Sequence, residues 1–247
     1  MQGLVTLDFG NSHPHAGLFQ KNNNEWQLIK VVPWKELQLY LTQLKMSPNN
    51  SSVVLSQVSA REEEMFPLLQ QGFLLTRVRD YWRGEKFAGM PVHYAKTLGE
   101  DRLIEAFYCF KKFKIPTLII DAGTFVTLDV VTTDGFKGGY IIPGTESYFE
   151  TFKKGEQLRD VGLEAEFEQL LPQNTSQAMT ESYTAFAALA KNLISEHKVQ
   201  KIVLTGGKAA IWESFFKDQK GSVVVETQPH LIHWALHYWM TTQIELL

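Results

Sequence analysis

The sequence predicts an α/β protein built from two like-folded lobes that face each other across a central cleft, and three observations predict it. Strands and helices alternate along all 247 residues, the pattern of mixed α/β architectures rather than of a bundle or a sandwich. A short apolar run ending in an acidic, glycine-containing turn occurs twice, as Leu4-Val5-Thr6-Leu7-Asp8-Phe9-Gly10-Asn11-Ser12 and as Leu118-Ile119-Ile120-Asp121-Ala122-Gly123-Thr124. The two aspartates stand nearly half a chain apart, so each half carries its own copy of one unit. Composition supplies the third observation: 44% hydrophobic and 21% charged residues with one Cys are ordinary globular proportions, which exclude collagen-like, disordered and disulfide-rich classes.

The elements follow in order. The run before Asp8 and the returning stretch Ala16–Phe19 read as a hairpin, and Trp26–Val32 as a third strand. Pro33 suits a helix entry before the apolar-periodic Trp34–Lys45. Pro48-Asn49-Asn50 breaks the chain before a strand at Val53–Ser56. Ala60–Gln71 reads as a helix shortened by Pro67, and Phe73–Arg77 as a strand. Arg102–Lys112 reads as a helix with Leu103, Ile104, Phe107, Tyr108 and Phe110 on its buried side. Beyond a junction near Phe113–Pro116, Phe125–Val131 and Tyr140-Ile141-Ile142 read as strands. Helices are expected at Thr145–Lys154, Thr180–Glu196, Lys208–Phe215 and Leu231–Thr242, with strands at Lys201–Leu204 and Val223–Glu226.

Charge and cysteine usage narrow the function classes. Twenty-four basic against 27 acidic residues give −3 with neither sign clustered, so no basic nucleic-acid surface is expected. Met1-Gln2-Gly3-Leu4 opens no charged, then apolar, leader, and no run of about 18 apolar residues occurs. Lone Cys109 suits a reducing compartment. The expectation is a soluble, cytoplasmic protein that engages neither nucleic acid nor membrane.

The candidate chemistry lies in the turns. Gly10 allows close backbone approach, the exposed N–H groups of the turn can receive phosphate oxygens, and Asn11 and Ser12 add neutral donors. Asp8 beside them suits a hydrated Mg²⁺, which takes one or two carboxylates and keeps its water. Repetition at Asp121–Thr124 favours paired phosphate turns over two plain hairpin turns. Gly99-Glu100-Asp101-Arg102 precedes a helix, where acids usually cap; alternatively Asp101 is a base and Arg102 clamps an anionic substrate group. Tyr94 stands close by as a donor or as an ordinary half-buried aromatic. Thr205-Gly206-Gly207-Lys208 ends a strand where bare backbone suits a flat ring or a phosphate, though it lacks P-loop spacing. His13 and His15 lack companion zinc ligands. His230, His233 and His237 share a helical face that reads as a polar-aromatic surface.

In that order, Asp8-Phe9-Gly10-Asn11-Ser12, Leu98-Gly99-Glu100-Asp101-Arg102, Asp121-Ala122-Gly123-Thr124 and Gly138-Gly139-Tyr140-Ile141-Ile142-Pro143-Gly144 make the chain resemble the type III pantothenate kinases. These belong to the superfamily of acetate kinase, sugar kinases, heat-shock chaperone ATPases and actin. The resemblance implies two ribonuclease H-like lobes, the actin-like duplication, at 1–115 and 116–247. It implies ATP-dependent phosphorylation of pantothenate to 4'-phosphopantothenate, the first step of coenzyme A biosynthesis, by a homodimer using Mg²⁺ and a monovalent cation, K⁺ or NH₄⁺. By position, Asp8, Phe9, Gly10, Asn11, Ser12, His13, Pro14 and His15 match the first ATP loop. Tyr94, Gly99, Glu100, Asp101, Arg102 and Thr175 match substrate contacts, with Asp101 as proton acceptor. Asp121 matches the monovalent-cation ligand, Thr124 an ATP contact, and Gly206 and Gly207 the adenosine turn. The chain departs from the family pattern at Leu171-Pro172-Gln173, at Glu181-Ser182-Tyr183 and at Glu156–Asp160. Those departures keep two alternatives open: a kinase for another small hydroxylated acid, and a nucleotide-binding regulatory protein.

Overall fold

The computed structural model describes residues 2–59, 62–158, 171–216 and 223–243. In chain order the strands and helices are β1 (Gln2–Phe9), β2 (His15–Asn22), β3 (Glu25–Pro33), α1 (Leu37–Gln43), β4 (Ser51–Gln57), α2 (Phe66–Gln70), β5 (Leu75–Arg77), β6 (Lys86–Phe87), β7 (Met90–Pro91) and α3 (Glu100–Phe113). They continue as β8 (Thr117–Ala122), β9 (Phe125–Thr132), β10 (Gly135–Pro143), α4 (Thr145–Phe152), α5 (Thr175–Glu196), β11 (Lys201–Thr205), α6 (Ala209–Ser214), β12 (Val224–Thr227) and α7 (Leu231–Gln243). The chain divides into two compact units: Met1–Lys114 with Asp134–Phe136 and His230–Leu247, and Ile115–Thr133 with Lys137–Pro229.

The first unit holds a five-stranded sheet in the order β3-β2-β1-β4-β5. β1, β2 and β3 form an antiparallel meander, while β4 and β5 run parallel to β1. Asn23 and Asn24, with φ of 48° and 67°, make the β2–β3 turn, a conformation asparagine tolerates better than most residues. Alternation along β1 sends Val5, Leu7 and Phe9 into a core with Ala16, Leu18, Val53 and Leu55, closed by Leu37, Leu41, Leu68 and Phe73. Pro67 sits in the first turn of α2, where its missing N–H costs nothing. The expected 60–71 helix is therefore a 3₁₀ turn at Glu62–Met65 followed by α2; Ala60 and Arg61 lie outside the described residues. The small β6–β7 hairpin was not legible from the pattern. Residues 134–136 join this unit because Val92 bridges to Phe136 and Gly135 packs on Pro91, where an added Cβ would lie 2.1 Å from the carbonyl oxygen.

The other face of the sheet is covered by α3 and α7, which pack on each other and on β4, with α7 also crossing β1. This corrects the division at 1–115 and 116–247: the final helix belongs to the first unit. Its buried side, Leu231, Ala235, Leu236 and Trp239, finds its apolar partners there, Trp239 meeting Phe87 at 5.5 Å and Tyr81 at 5.2 Å. The histidine face read as a surface is corrected for the same reason, because His233 is fully buried. Phe110 is only half-buried on α3, whereas Leu103, Ile104, Phe107 and Tyr108 are buried as expected.

His237 stacks on Phe19 at 4.6 Å and abuts Trp26 and Trp234, its Nε2 buried with no hydrogen-bond partner among the described residues. Burial lowers its pKa to about 4. In the unfolded chain the ring titrates near 6.5, so between those values the unfolded state holds a proton that the folded state excludes. The contribution is intact above pH 6.5 and is lost as pH falls toward 4. His237→Phe is therefore expected to shallow the decline of Tm between pH 7 and pH 5, followed by circular dichroism. An unaltered slope would show that the ring is protonated without penalty.

The second unit repeats the plan. Its sheet has the order β10-β9-β8-β11-β12, with β9 antiparallel to β8 and β11 and β12 parallel to it. The duplicated acid-ended run is thus the central strand of each sheet. Leu118, Ile120, Leu128, Ile202, Leu204 and Trp212 anchor its core. Helix α5 starts at Thr175 rather than Thr180, because the Asn174 side chain accepts from Gln177 N–H at 2.9 Å and caps it. Tyr183, at one of the departures from the family pattern, is buried in an aromatic cluster with Tyr148, Phe149 and Phe186. Among the described residues no helix is long and apolar enough to cross a membrane.

Candidate active site

In the first unit Asp8 stands at the carboxyl end of β1, between antiparallel β2 and parallel β4. Ligands of open α/β sheets bind beyond the carboxyl ends of the strands, the end at which Asp8 lies. Val58 N–H and the Ser59 hydroxyl both donate to Phe9 O, at 3.2 and 3.1 Å, and hold the start of the loop. Beyond it Asn11 and His13 are exposed, and Gly10, Ser12 and Pro14 are half-buried. A Cβ added at Gly10 would meet only Asp8 Oδ2, at 3.7 Å. The loop therefore offers open backbone beside a carboxylate, which suits phosphate oxygens and a hydrated Mg²⁺. Across the hairpin His15 pairs with Asp8, its Nε2 3.5 Å from Oδ2. Burial, with His230 and His13 nearby, holds the His15 ring below the ordinary histidine range.

The start of α3 is tied to the same end of this sheet. Glu100 turns inward: its Oε2 accepts from Gln57 N–H at 3.4 Å and Arg79 N–H at 3.3 Å, and its Oε1 lies 3.5 Å from Arg79 Nε. Burial raises its pKa, partly offset by those N–H groups and the Arg79 charge. Arg79 also donates to Lys96 O and Leu98 O, both at 2.9 Å, and so pins the loop leading to Gly99. Gln57 is the register partner of Phe9, so Asp8 and the first turn of α3 share one sheet end. There Asp101 Oδ1 accepts from Arg102 N–H at 2.8 Å. Gly99 leaves room for that carboxylate; an added Cβ would lie 2.3 Å from Asp101 Oδ1. Arg102 is 5% exposed, its guanidinium 5.3 Å from the Tyr94 ring and 6.0 Å from Phe136. Tyr94 itself is exposed. Tyr94 and the first turn of α3 are thus brought together through Arg102.

In the second unit Asp121 is the penultimate residue of β8, beside its register partner Thr205 on β11. Gly206, with φ of 82°, lies so close that an added Cβ would be 2.4 Å from Asp121 Oδ1 and 2.6 Å from Ala122 O. Lys208 N–H donates to Ala122 O at 2.9 Å, while a Cβ at Gly207 would meet nothing within 4 Å. The turn therefore shows bare backbone to open space, which fits a flat ring such as an adenine. Thr124 O accepts from Gly144 N–H at 3.0 Å and from the Ser147 hydroxyl at 3.1 Å, seating the acidic turn on the start of α4. Asp121, Thr124, Gly206 and Gly207 come together within this unit. Thr175 is exposed in the first turn of α5.

Several residues that shape these sites carried little sequence signal. Arg79 lies in a stretch with no motif. Lys208 pairs with Glu146 at 2.6 Å across two elements far apart in sequence. Thr6 and His233, hydrogen-bonded at 2.7 Å, were hidden in an apolar run and in a helix read as surface.

Comparison with known proteins agrees with this geometry. A profile of the type III pantothenate kinase family matches residues 4–196. A type III pantothenate kinase of Citrifermentans bemidjiense is 31% identical over 230 residues, covering 84% of this chain and 89% of the relative. One from Campylobacter hominis is 34% identical over 126 residues, 51% of this chain and 58% of the relative. Among solved structures, a Campylobacter jejuni protein assigned to the Baf family of transcriptional activators aligns with a TM-score of 0.58 at 17% identity, covering 98% of this chain and 100% of its own; that likeness establishes the shared fold. With the family profile spanning most of its length and an acid-ended central strand in each of two sheets, the chain belongs to the type III pantothenate kinase family.

Proposed function

We propose that the protein transfers the terminal phosphoryl group of ATP to the primary hydroxyl of pantothenate, giving 4'-phosphopantothenate and ADP as the first step of coenzyme A biosynthesis. The observation that supports this most is the placement of Asp8 and Asp101 at one end of the first unit's sheet, in a chain of this family. Phosphoryl transfer runs through a loose transition state, so alignment and charge neutralisation matter more than a strong base. Asp101 orients the acceptor hydroxyl and takes its proton, and an ordinary carboxylate is basic enough for a late proton transfer. Tyr94, Gly99, Glu100, Arg102 and Thr175 are assigned to the acceptor, with Arg102 opposite its carboxylate.

The loop Asp8–His15 and Thr124 are assigned to ATP, and Gly206 and Gly207 to its adenosine. Asp8 would hold Mg²⁺ through water and Asp121 a K⁺ or NH₄⁺ ion, and both ions would offset phosphate charge when bound. A cytoplasmic homodimer belongs to the same reading, motivated by the family, and size-exclusion chromatography tests the dimer.

A coupled ADP-release assay with pantothenate and ATP, run with and without K⁺, tests the proposal. Pantothenate-dependent ADP release that rises with K⁺ is the expected result. Release with another small hydroxylated acid from a panel, and none with pantothenate, would move the substrate. Nucleotide binding without turnover of any acceptor would replace the kinase reading by the regulatory one.

A further inference from the structure

Tyr94 and Gly99 stand at the two ends of a loop with little packing of its own. Residues 94–97 are exposed, and Leu98 is buried. The loop is entered at His93, whose N–H donates to Phe136 O at 2.9 Å. It leaves at the cap of α3, where Gly99 O accepts from Leu103 N–H at 3.1 Å. Between them Leu98 N–H donates to Ala95 O at 3.1 Å and closes a turn. A segment this exposed takes its shape from hydrogen bonds more than from apolar contact.

The side chain of Arg79 supplies two of those bonds. Arg79 lies in the 3₁₀ turn Val78–Tyr81, directly after β5, whose Arg77 is in register with Leu55 of β4. Val78 beside it is fully buried, so the turn belongs to the sheet edge rather than to the loop. From there Nη1 donates to Lys96 O and Nη2 to Leu98 O, both at 2.9 Å. The guanidinium lies 5.2 Å from the Trp82 ring, and the Glu100 carboxylate, 3.5 Å from Nε, offsets its charge. Two carbonyl oxygens are met by two nitrogens of one plane, a geometry that a guanidinium offers and an ammonium does not. An ion pair at a half-exposed arginine contributes little by itself. The paired bonds to backbone set this residue apart from an exposed pair such as Lys153 with Glu150.

We propose that Arg79 is a positioning residue of the acceptor site: its fork fixes the loop between Tyr94 and Gly99, and with it the approach of the acceptor hydroxyl to Asp101. The consequence for catalysis rests on the reading of Tyr94, Gly99 and Asp101 as acceptor residues; the hold on the loop does not. A displacement of about 1 Å at a reacting group can cost on the order of a hundredfold in rate. Release of the loop is therefore expected to slow transfer while nucleotide binding is kept.

Two measurements test the clamp. Hydrogen–deuterium exchange of the ligand-free protein, read by mass spectrometry on a peptide covering 95–104, needs no substrate. Arg79→Ala is expected to raise exchange there about tenfold, since a hydrogen bond from a charged donor commonly carries about a decade in an equilibrium. Peptides of β1 and β8 are expected to exchange as in the parent. Arg79→Lys keeps the charge and offers one nitrogen where two are needed. It is expected to open the peptide to a similar degree, and it stands in if Arg79→Ala does not fold. The second measurement is steady-state kinetics. Arg79→Ala is expected to lower kcat/KM for pantothenate between about 10- and 100-fold with KM for ATP unchanged. Guanidinium ion at a sub-denaturing concentration is expected to recover part of that rate, and methylammonium is not. A loss of stability alone would show no such recovery, because guanidinium weakens folds. Exchange at 95–104 equal to that of the parent in both variants would overturn the proposal, and so would an unchanged kcat/KM for pantothenate in an active protein. A loss that extends to KM for ATP and that guanidinium leaves unrelieved would likewise overturn it. Opened exchange in Arg79→Ala, beside a parent that turns over no pantothenate, would sink the proposed function and leave the hold on the loop standing.

Discussion

An Asp101→Asn protein is expected to fold as the parent does and to turn over pantothenate about a thousandfold more slowly, within the span of about 10²–10⁴ that general-base groups contribute. The substitution removes the basic carboxylate and keeps its shape. Asp101 Oδ1 accepts from Arg102 N–H at 2.8 Å, and an asparagine carbonyl oxygen can take the same bond, so the first turn of α3 has no reason to move. Its neighbours are held independently, Glu100 by Gln57 and Arg79, and Arg102 between Tyr94 and Phe136. The loss should therefore fall on kcat, with KM for pantothenate changed only a few-fold and Tm within a degree or so of the parent, since surface substitutions of this kind stay within about 0.5 kcal/mol. Steady-state kinetics beside a thermal melt separates the possibilities. Full turnover in the variant would strip Asp101 of the base role, and a raised KM with unchanged kcat would make it a binding residue instead.

The second large effect is expected at Gly206→Ala. The position has φ of 82°, and an added Cβ would come within 2.4 Å of Asp121 Oδ1, 2.6 Å of Ala122 O and 2.7 Å of Ala122 C. Two of those atoms are backbone at the end of β8, so a side-chain rotation cannot relieve the overlap. The left-handed conformation costs a non-glycine residue about 1 kcal/mol, and overpacking typically adds about 1–3 kcal/mol. For a chain of this size each kcal/mol lowers Tm by about 2–4 °C, so a fall on the order of 10 °C is expected, with weakened ATP binding. Gly207→Ala is the informative neighbour. Its Cβ meets nothing within 4 Å, so Tm should hold while the new methyl group enters the space assigned to the adenosine, raising KM for ATP. A Gly206→Ala protein as stable as the parent would mean that Asp121 and Ala122 are not where the fold places them.

Both predictions start from motifs visible in the chain, which shows how much of the site was legible. Asp8-Phe9-Gly10 and Asp121-Ala122-Gly123 stood out because a β-prone run must end somewhere, and an acid followed by glycine is how such runs often end. Their recurrence announced the duplicated sheet, which the matching strand orders bear out. The start of α5 was placed five residues late, at Thr180, because the cap that sets it, Asn174 accepting from Gln177 N–H, is a contact of the folded turn.

Local pattern alone determined the α/β class, the duplication, the two strands that lead into acidic turns, and the cluster Gly99–Arg102 at a helix start. These depend on neighbours within a few residues, where side-chain periodicity and turn chemistry act. Tertiary structure decided that α7 packs with the first unit, that His233 is interior, that Glu100 faces Gln57 and Arg79, and that Gly206 rests on Asp121. Each of these follows from which apolar face meets which sheet and from a few ångströms of clearance between strands far apart in sequence. The chain order carries no record of those distances until the core is packed.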